Sequence, residues 1–155
     1  MSAVIWATDD APEFNRALSD WISVKVWNEN DSLPKPSRCF GVFKDGELQG
    51  AVAFHNYQPQ WGVIEFTGAA TGDRWLSREV IREIAAYGFD HLGCQLMVIR
   101  TDPGNDRVIR IFSALGFEKF TIPRLRGRDK AEIIMTLSVE TRDASPFIRR
   151  QSHGR

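Results

Sequence analysis

The chain of 155 residues is short of cysteine, of net charge and of long apolar runs. Each shortage closes off a class of protein. Its two cysteines, Cys39 and Cys94, stand far apart in sequence and outside any metal-ligand motif, so the expectation is two reduced, buried thiols and no metal. Lys plus Arg (20) equals Asp plus Glu (20), and that balance gives no bulk attraction to nucleic acid or to an anionic membrane. No apolar run approaches the roughly 20 residues of a membrane span. The opening MSAVIWATDD lacks a basic segment followed by an apolar one, so no signal peptide is expected and the location expected is cytoplasmic. Internal repeats and low-complexity tracts are also missing.

What is present is a globular composition, 43% apolar and 26% charged. This length most simply makes one domain with a real core. The expected domain covers residues 1–140. The tail 141–155 carries Arg142, Arg149, Arg150 and Arg155 with few core-forming residues, and is expected to be poorly ordered or packed on the surface.

The chain is organised around Trp61–Leu92. Here an apolar, β-branched run (Val63, Ile64, Thr67) passes through a Gly-, Thr- and Asp-containing turn into REVIREIAAYGFDHL. Ile81, Ile84, Ala85, Gly88 and Leu92 then fall on one helical face. A strand that turns directly into a helix points free backbone N–H groups at whatever lies beyond the turn, an arrangement that suits phosphate.

Around this unit the pattern predicts a short strand at Val4–Ala7 and a helix from about Ala11 to Trp27. The helix follows the cap-type residues Thr8, Asp9 and Asp10 and carries Phe14, Ala17, Leu18, Trp21, Ile22 and Val26 at helical spacing. Asn28–Ser37, polar and with two prolines, predicts a loop that walls a substrate site. CFGVF and LQGAVAFHNY flank Asp45-Gly46 as a hairpin. Gln95–Arg100 predicts a central strand. Val108, Ile111, Phe112 and Leu115 mark a helix that Gly116 ends. Phe117–Ile122 and Glu132–Val139 predict the last two strands. The order is a mixed sheet in an α/β or α+β layer arrangement.

With these motifs the chain resembles the GCN5-related N-acetyltransferase (GNAT) superfamily, over roughly Phe40 to Val139. The most specific match is Asn105-Asp-Arg-Val108-Ile-Arg-Ile111-Phe112-Ser-Ala-Leu115-Gly116-Phe117. It is similar to the family's Asn-x-x-Ala-x-x-hydrophobic-Tyr-x-x-x-Gly-Phe segment. Tyr87-Gly-Phe89-Asp-His-Leu-Gly-Cys94 further resembles the Ala-Phe-x-x-Leu-Gly segment of the subfamily that acetylates protein N-termini. The resemblance implies a mostly antiparallel sheet of about six to seven strands flanked by helices. It also implies acetyl-CoA as cofactor and transfer of an acetyl group to a primary amine, by direct attack in a ternary complex. The chain departs from the family pattern in two places. Trp75 and Ser77 stand where the phosphate loop has its small residues, with Gly72 at its Gln/Arg position, and Phe112 replaces a Tyr that often protonates the leaving thiolate.

What this resemblance implies for residues is as follows. Glu65, Phe66 and Thr67 lie on the strand that would pair with pantetheine. Gly72, Asp73, Arg74, Trp75, Leu76, Ser77 and Arg78 would hold the diphosphate through N–H groups and helix dipole. Arg74 and Arg78 would add charge-assisted contacts, unless they are solvated surface residues. Asn105 would reach the pantetheine arm, or cap its helix. Arg107 and Arg110 would face the nucleotide, or solvent. Glu65 is the first choice of general base, because burial in an apolar strand would raise its pKa, unless it points to solvent from a wet sheet face. His55, whose ordinary pKa suits proton transfer near neutrality, is the second, unless it is structural. The acceptor expected is a small-molecule or peptide amine, and the state a monomer or homodimer. Two alternatives stand beside this one. A fold that has lost catalysis is suggested by Phe112 and the altered loop. A transferase acting on a nucleic-acid base is suggested by the basic strip Arg124, Arg126, Arg128 and Lys130.

Overall fold

The computed structural model describes residues 2–72 and 74–149. Among the described residues, seven strands are joined by hydrogen bonds in the order β1-β2-β3-β4-β5-β7-β6, with four α-helices. The residues pack as two compact units. One holds the chain through Tyr57 together with Glu65–Ile81, and the other holds Gln58–Ile64 and the chain from Arg82 onward.

In the first unit β1 (Ser2–Trp6) precedes α1 (Pro12–Trp27). No side chain caps α1. Ala11 takes the N-cap position, and Pro12 starts the helix with its fixed φ and missing N–H. The helix stops at Asn28, whose left-handed φ of 60° lets its N–H reach the Val24 carbonyl. Leu18 and Ile22 are buried as the spacing predicts, whereas Val26, expected on the same face, is exposed. Polar side chains complete the seam. Ser23 Oγ accepts the N–H of Leu33 at 3.0 Å, and this pins the connection that follows the helix.

β2 (Ser37–Lys44) and β3 (Glu47–Gln58) form the expected hairpin, with Lys44 opposite Glu47. Asp45 (φ 53°) and Gly46 (φ 80°) give the two left-handed residues that a type I′ turn demands. Alternation then sorts the side chains. Cys39, Ala51 and Ala53 pack with Leu18 and Ile22 of α1. The opposite face carries an aromatic row. Trp6 meets Phe40 at 4.9 Å, and Phe54 meets both Phe40 (6.2 Å) and Phe66 (6.1 Å). Phe66 belongs to β4 (Val63–Ala70), the strand that leads to α2 (Arg78–Ala85).

In the second unit the helix begun by α2 continues as a π-helical turn, Ala86–His91. The wider turn shifts the phase of the apolar face, so Gly88 and Phe89 are both buried while Leu92 is only half-buried. Gly88 packs closely on Met97: a Cβ there would stand 2.5 Å from Met97 Sδ, and the methionine side chain would have to shift. β5 (Leu96–Thr101), β6 (Glu118–Ile122) and β7 (Glu132–Ser138) are antiparallel, with β7 between the other two. Met97, Ile99, Ile133, Met135 and Leu137 form the buried side of this sheet. α3 (Asp106–Ala114) ends before Gly116, which takes φ 104°.

The chain after β7 differs from expectation. α4 (Val139–Ala144) is capped by Ser138 Oγ, which accepts the Thr141 N–H. Arg142 is 2% exposed, grips both oxygens of Asp90 at 2.6 and 3.1 Å, and lies 5.1 Å from the Phe89 ring centroid. Ile148 is buried as well. A single arginine among polar residues looks like surface, and only its partners, Asp90 and Phe89, make it interior. Arg150 and Arg155 lie outside the described residues. Among those described, no helix is long and apolar enough to cross a membrane.

Candidate functional site

The turn from β4 into α2 is fixed at three points in the first unit. At its start, the Thr71 N–H and Oγ1–H both donate to the Gln49 carbonyl, at 3.0 and 3.3 Å. At its end, Ser77 Oγ accepts the Val80 N–H at 3.2 Å and the Ser77 carbonyl accepts the Ile81 N–H at 2.9 Å, so Ser77 starts the helix. Between them, the Trp75 indole lies over two glycines on neighbouring strands. A Cβ on Gly50 of β3 would come within 2.4 Å of Trp75 Cε3, and one on Gly68 of β4 within 3.1 Å of Cη2. The ring is therefore committed to the sheet. Among the described residues no hydrogen bond engages the N–H groups of Trp75, Leu76 and Ser77. A row of open amides leading into a helix N-terminus fits a diphosphate. Arg74 and Arg78 are exposed beside this row, and Asp73 lies outside the described residues.

On the α1 side of the same unit, His55 is 2% exposed and its Nε2 lies 2.8 Å from Thr67 Oγ1. The two expected site residues are thus bonded to each other. Glu65 lies between the two settings expected of it. It is half-buried, and its Oε1 accepts from Asn56 Nδ2 at 3.4 Å. Asn56 sits at φ 53°, a left-handed position that Asn tolerates better than most residues, immediately after His55. The Phe66 ring belongs to the aromatic row and is 3% exposed, so the expected contact with a ligand falls to its backbone.

An open cavity of about 630 Å³ lies between α1 and the 28–37 connection, lined by Asn15, Arg16, Ser19, Asp20, Asp31 and Ser37 among others. Asn15 builds its floor: Nδ2 donates to the Ser37 carbonyl at 3.0 Å and Oδ1 accepts the Cys39 N–H at 2.9 Å. Ser37 stands opposite His55 in the β2–β3 register. The cavity thereby ends one strand away from the His55–Thr67 pair.

In the second unit Asn105 is the N-cap of α3. Its side chain accepts from the Val108 N–H at 3.4 Å, and its Nδ2 donates to Thr101 Oγ1 at 3.2 Å. The capping role is therefore filled. On the helix it caps, Arg107 is half-buried and Arg110 exposed. Phe112 is buried edge-to-face against Phe117 at 5.0 Å.

The basic strip after β6 is largely spent on internal pairs. Glu132, 4% exposed, bridges Arg100 (2.6 Å) and Arg126 (2.9 Å), and Lys130 pairs with Asp102 at 2.9 Å. The Gly104 N–H and the Lys130 ammonium hold the Asp102 carboxyl below its usual pKa. Arg124 and Arg128 remain exposed. Reading the sequence missed Glu132 as the centre of this cluster. It also missed Asn56 and the two glycines under Trp75. Glycine inside a strand is the one signal that pointed there, because it marks close approach.

A mixed seven-stranded sheet whose fourth strand turns through open amides into a helix defines the architecture of an acyl-CoA-dependent transferase. The comparisons with known proteins give the family. Residues 4–118 match the model of the acetyltransferase (GNAT) domain, so the chain belongs to that family of acetyl-CoA-dependent N-acetyltransferases. No curated protein matches the sequence. Among solved structures, a mutant of the SpeG spermidine N-acetyltransferase from Vibrio cholerae is 14% identical over 88% of this chain and 93% of that one, with a TM-score of 0.67. The Vibrio cholerae spermidine N-acetyltransferase in complex with CoA and spermine gives 14%, 88%, 95% and 0.66. A probable acetyltransferase gives 18%, 67%, 63% and 0.57. At these identities the likeness is one of fold.

Proposed function

We propose that the chain transfers an acetyl group from acetyl-CoA to a primary amine in a ternary complex, with Glu65 as general base. The observation that carries this reading is the row of open N–H groups at Trp75, Leu76 and Ser77, left clear by an indole that lies on the sheet instead. These amides, with Arg74 and Arg78 beside them, hold the diphosphate of the coenzyme. The backbone of Phe66 and Thr67 meets its pantetheine arm. The coenzyme supplies an acetyl group activated as a thioester.

The chain's own residues do the rest. An amine is a nucleophile only when neutral, so a base must take its proton. Glu65 is half-exposed and steered by Asn56, which lets its carboxylate receive that proton directly or through a water. His55 is buried and engaged with Thr67, so it orients the strand face and is a weaker choice of base. Phe112 has no ionisable proton, so protonation of the leaving thiolate falls to solvent. The acceptor enters through the cavity that ends at Ser37. Its wall carries Asp20 and Asp31 together with Arg16 and Lys35, and Lys35 is paired with Asp31, so Asp20 is the carboxylate left to meet a cationic amine.

Two acceptor classes follow from the family. One is a polyamine, in line with the substrates named for the Vibrio cholerae proteins. The other is a peptide amino terminus, in line with the segment Tyr87–Cys94. Packing already accounts for Gly88 and Phe89 in that segment, so it carries little weight and the polyamine is preferred. The test is acetyl transfer measured on polyamines, simple primary amines and peptides with free amino termini. The reading predicts turnover on the first group that falls about 100-fold in Glu65→Gln. No turnover on any amine would overturn it.

A further inference from the structure

The loss of small residues from the phosphate loop is answered elsewhere in the chain. Trp75 occupies a place the family gives to a small residue, and its indole finds room because Gly50 and Gly68 have no Cβ. The neighbour at Gly50 is the rigid ring itself, at 2.4, 2.6 and 3.0 Å from Cε3, Cδ2 and Cγ, so no rotation of a flexible chain end would relieve a methyl group. Glycine in the interior of a strand is otherwise unfavourable, since it packs nothing and costs backbone entropy on folding. Gly50 stands next to the turn's other anchor. Gly50 follows Gln49, whose carbonyl takes both Thr71 bonds. The turn is thus fastened to the sheet by Thr71 and Trp75, and to the helix by Ser77.

We propose that Trp75 is a positioning residue for the coenzyme's diphosphate, locked by Gly50 and Gly68. This rests on the reading of the turn as the coenzyme cradle. The mechanism is preorganisation. A glycine-rich loop gains close approach to phosphate but must be ordered when ligand binds. A loop pinned by an aromatic anchor holds its amides in place beforehand and pays less on binding. The lock also says which substitutions are equivalent. Removing the ring, or pushing it off with a methyl group on the strand, frees the same backbone.

The experiment is calorimetric titration of the full chain with CoA, in wild type, Trp75→Ala, Trp75→Phe, Gly50→Ala and the Trp75→Ala/Gly50→Ala pair, each checked for folding by circular dichroism. The expected result is a Kd raised about tenfold in Trp75→Ala and in Gly50→Ala, one to two kcal/mol of preorganisation by the usual conversion. Trp75→Phe is expected to recover most of the affinity. The double variant is expected to bind no more weakly than Trp75→Ala, because the methyl group has nothing left to displace. Gly68→Ala, with a milder approach of 3.1 Å, replaces Gly50→Ala if that variant does not fold. Unchanged affinity in folded Trp75→Ala overturns the proposal and leaves the cradle standing, as do additive losses in the double variant. Failure of the wild type to bind CoA removes the cradle and the proposal together.

Discussion

Glu65 and His55 lie on adjoining strands of one sheet face, yet their surroundings fit them for different work. Glu65 is partly open to water and held by Asn56. His55 is closed in and bonded to Thr67. Glu65→Gln should therefore lower acetyl transfer with little change in stability or CoA affinity. His55→Ala should cost about 1–3 kcal/mol in urea denaturation, because the Thr67 hydroxyl loses a buried partner. Sequence alone ranked these two residues but left the setting of Glu65 open between a buried and a solvent-facing carboxylate. Nothing in the letters shows that Asn56 turns left-handed to meet it. Cys39 gives a further residue-scale prediction. Burial pushes its thiol up from 9.0 to about 11, against smaller opposing effects of Ser37 and Arg38. The folded state thus holds this proton more tightly than the unfolded chain. The associated stability is complete below about pH 9 and is lost as pH rises through about 11. Denaturation midpoints measured between pH 8 and 11 should fall across that window, and a thiol reagent at neutral pH should reach Cys39 only after unfolding.

At the scale of elements, the hairpin and the amphipathic helices were legible because local chemistry dictates them. Asp45-Gly46 specifies its turn, and the spacing of Leu18 and Ile22 specifies the buried side of α1. The π-helical turn was not legible. One extra residue in a helical turn leaves the composition unchanged and shows only as Gly88 and Phe89 being buried together. α4 was missed for a related reason: its packing depends on Arg142, whose value lies in distant Asp90. Burial by itself would lower the pKa of Arg142, but hydrogen bonds and charge from Asp90 and Asp143 outweigh it and raise the value. Arg142→Met should therefore destabilise the chain by about 1–3 kcal/mol, since the buried guanidinium's charge-assisted hydrogen bonds to Asp90 are lost. Chemical denaturation measures this directly, and Asp90→Asn in the Arg142→Met background should recover part of the loss.

At the scale of the whole molecule, charge is balanced overall. In the strip that looked basic, Arg126 and Lys130 are spent on Glu132 and Asp102, so half of it is a structural cluster while Arg124 and Arg128 stay exposed. Electrophoretic mobility assays at low salt should show no salt-dependent binding of DNA or RNA by the wild type. Steep salt dependence would restore the nucleic-acid reading. The claim on which the account depends is that the folded chain takes up acetyl-CoA. A ligand that prefers the native state must stabilise it, by about 2.7 kcal/mol at a hundred times its Kd. For a chain of 155 residues that is a rise of roughly 5–10 °C in the thermal midpoint. Differential scanning calorimetry with increasing acetyl-CoA should show this rise, growing with the logarithm of ligand concentration. A midpoint that does not move at millimolar acetyl-CoA would contradict the account.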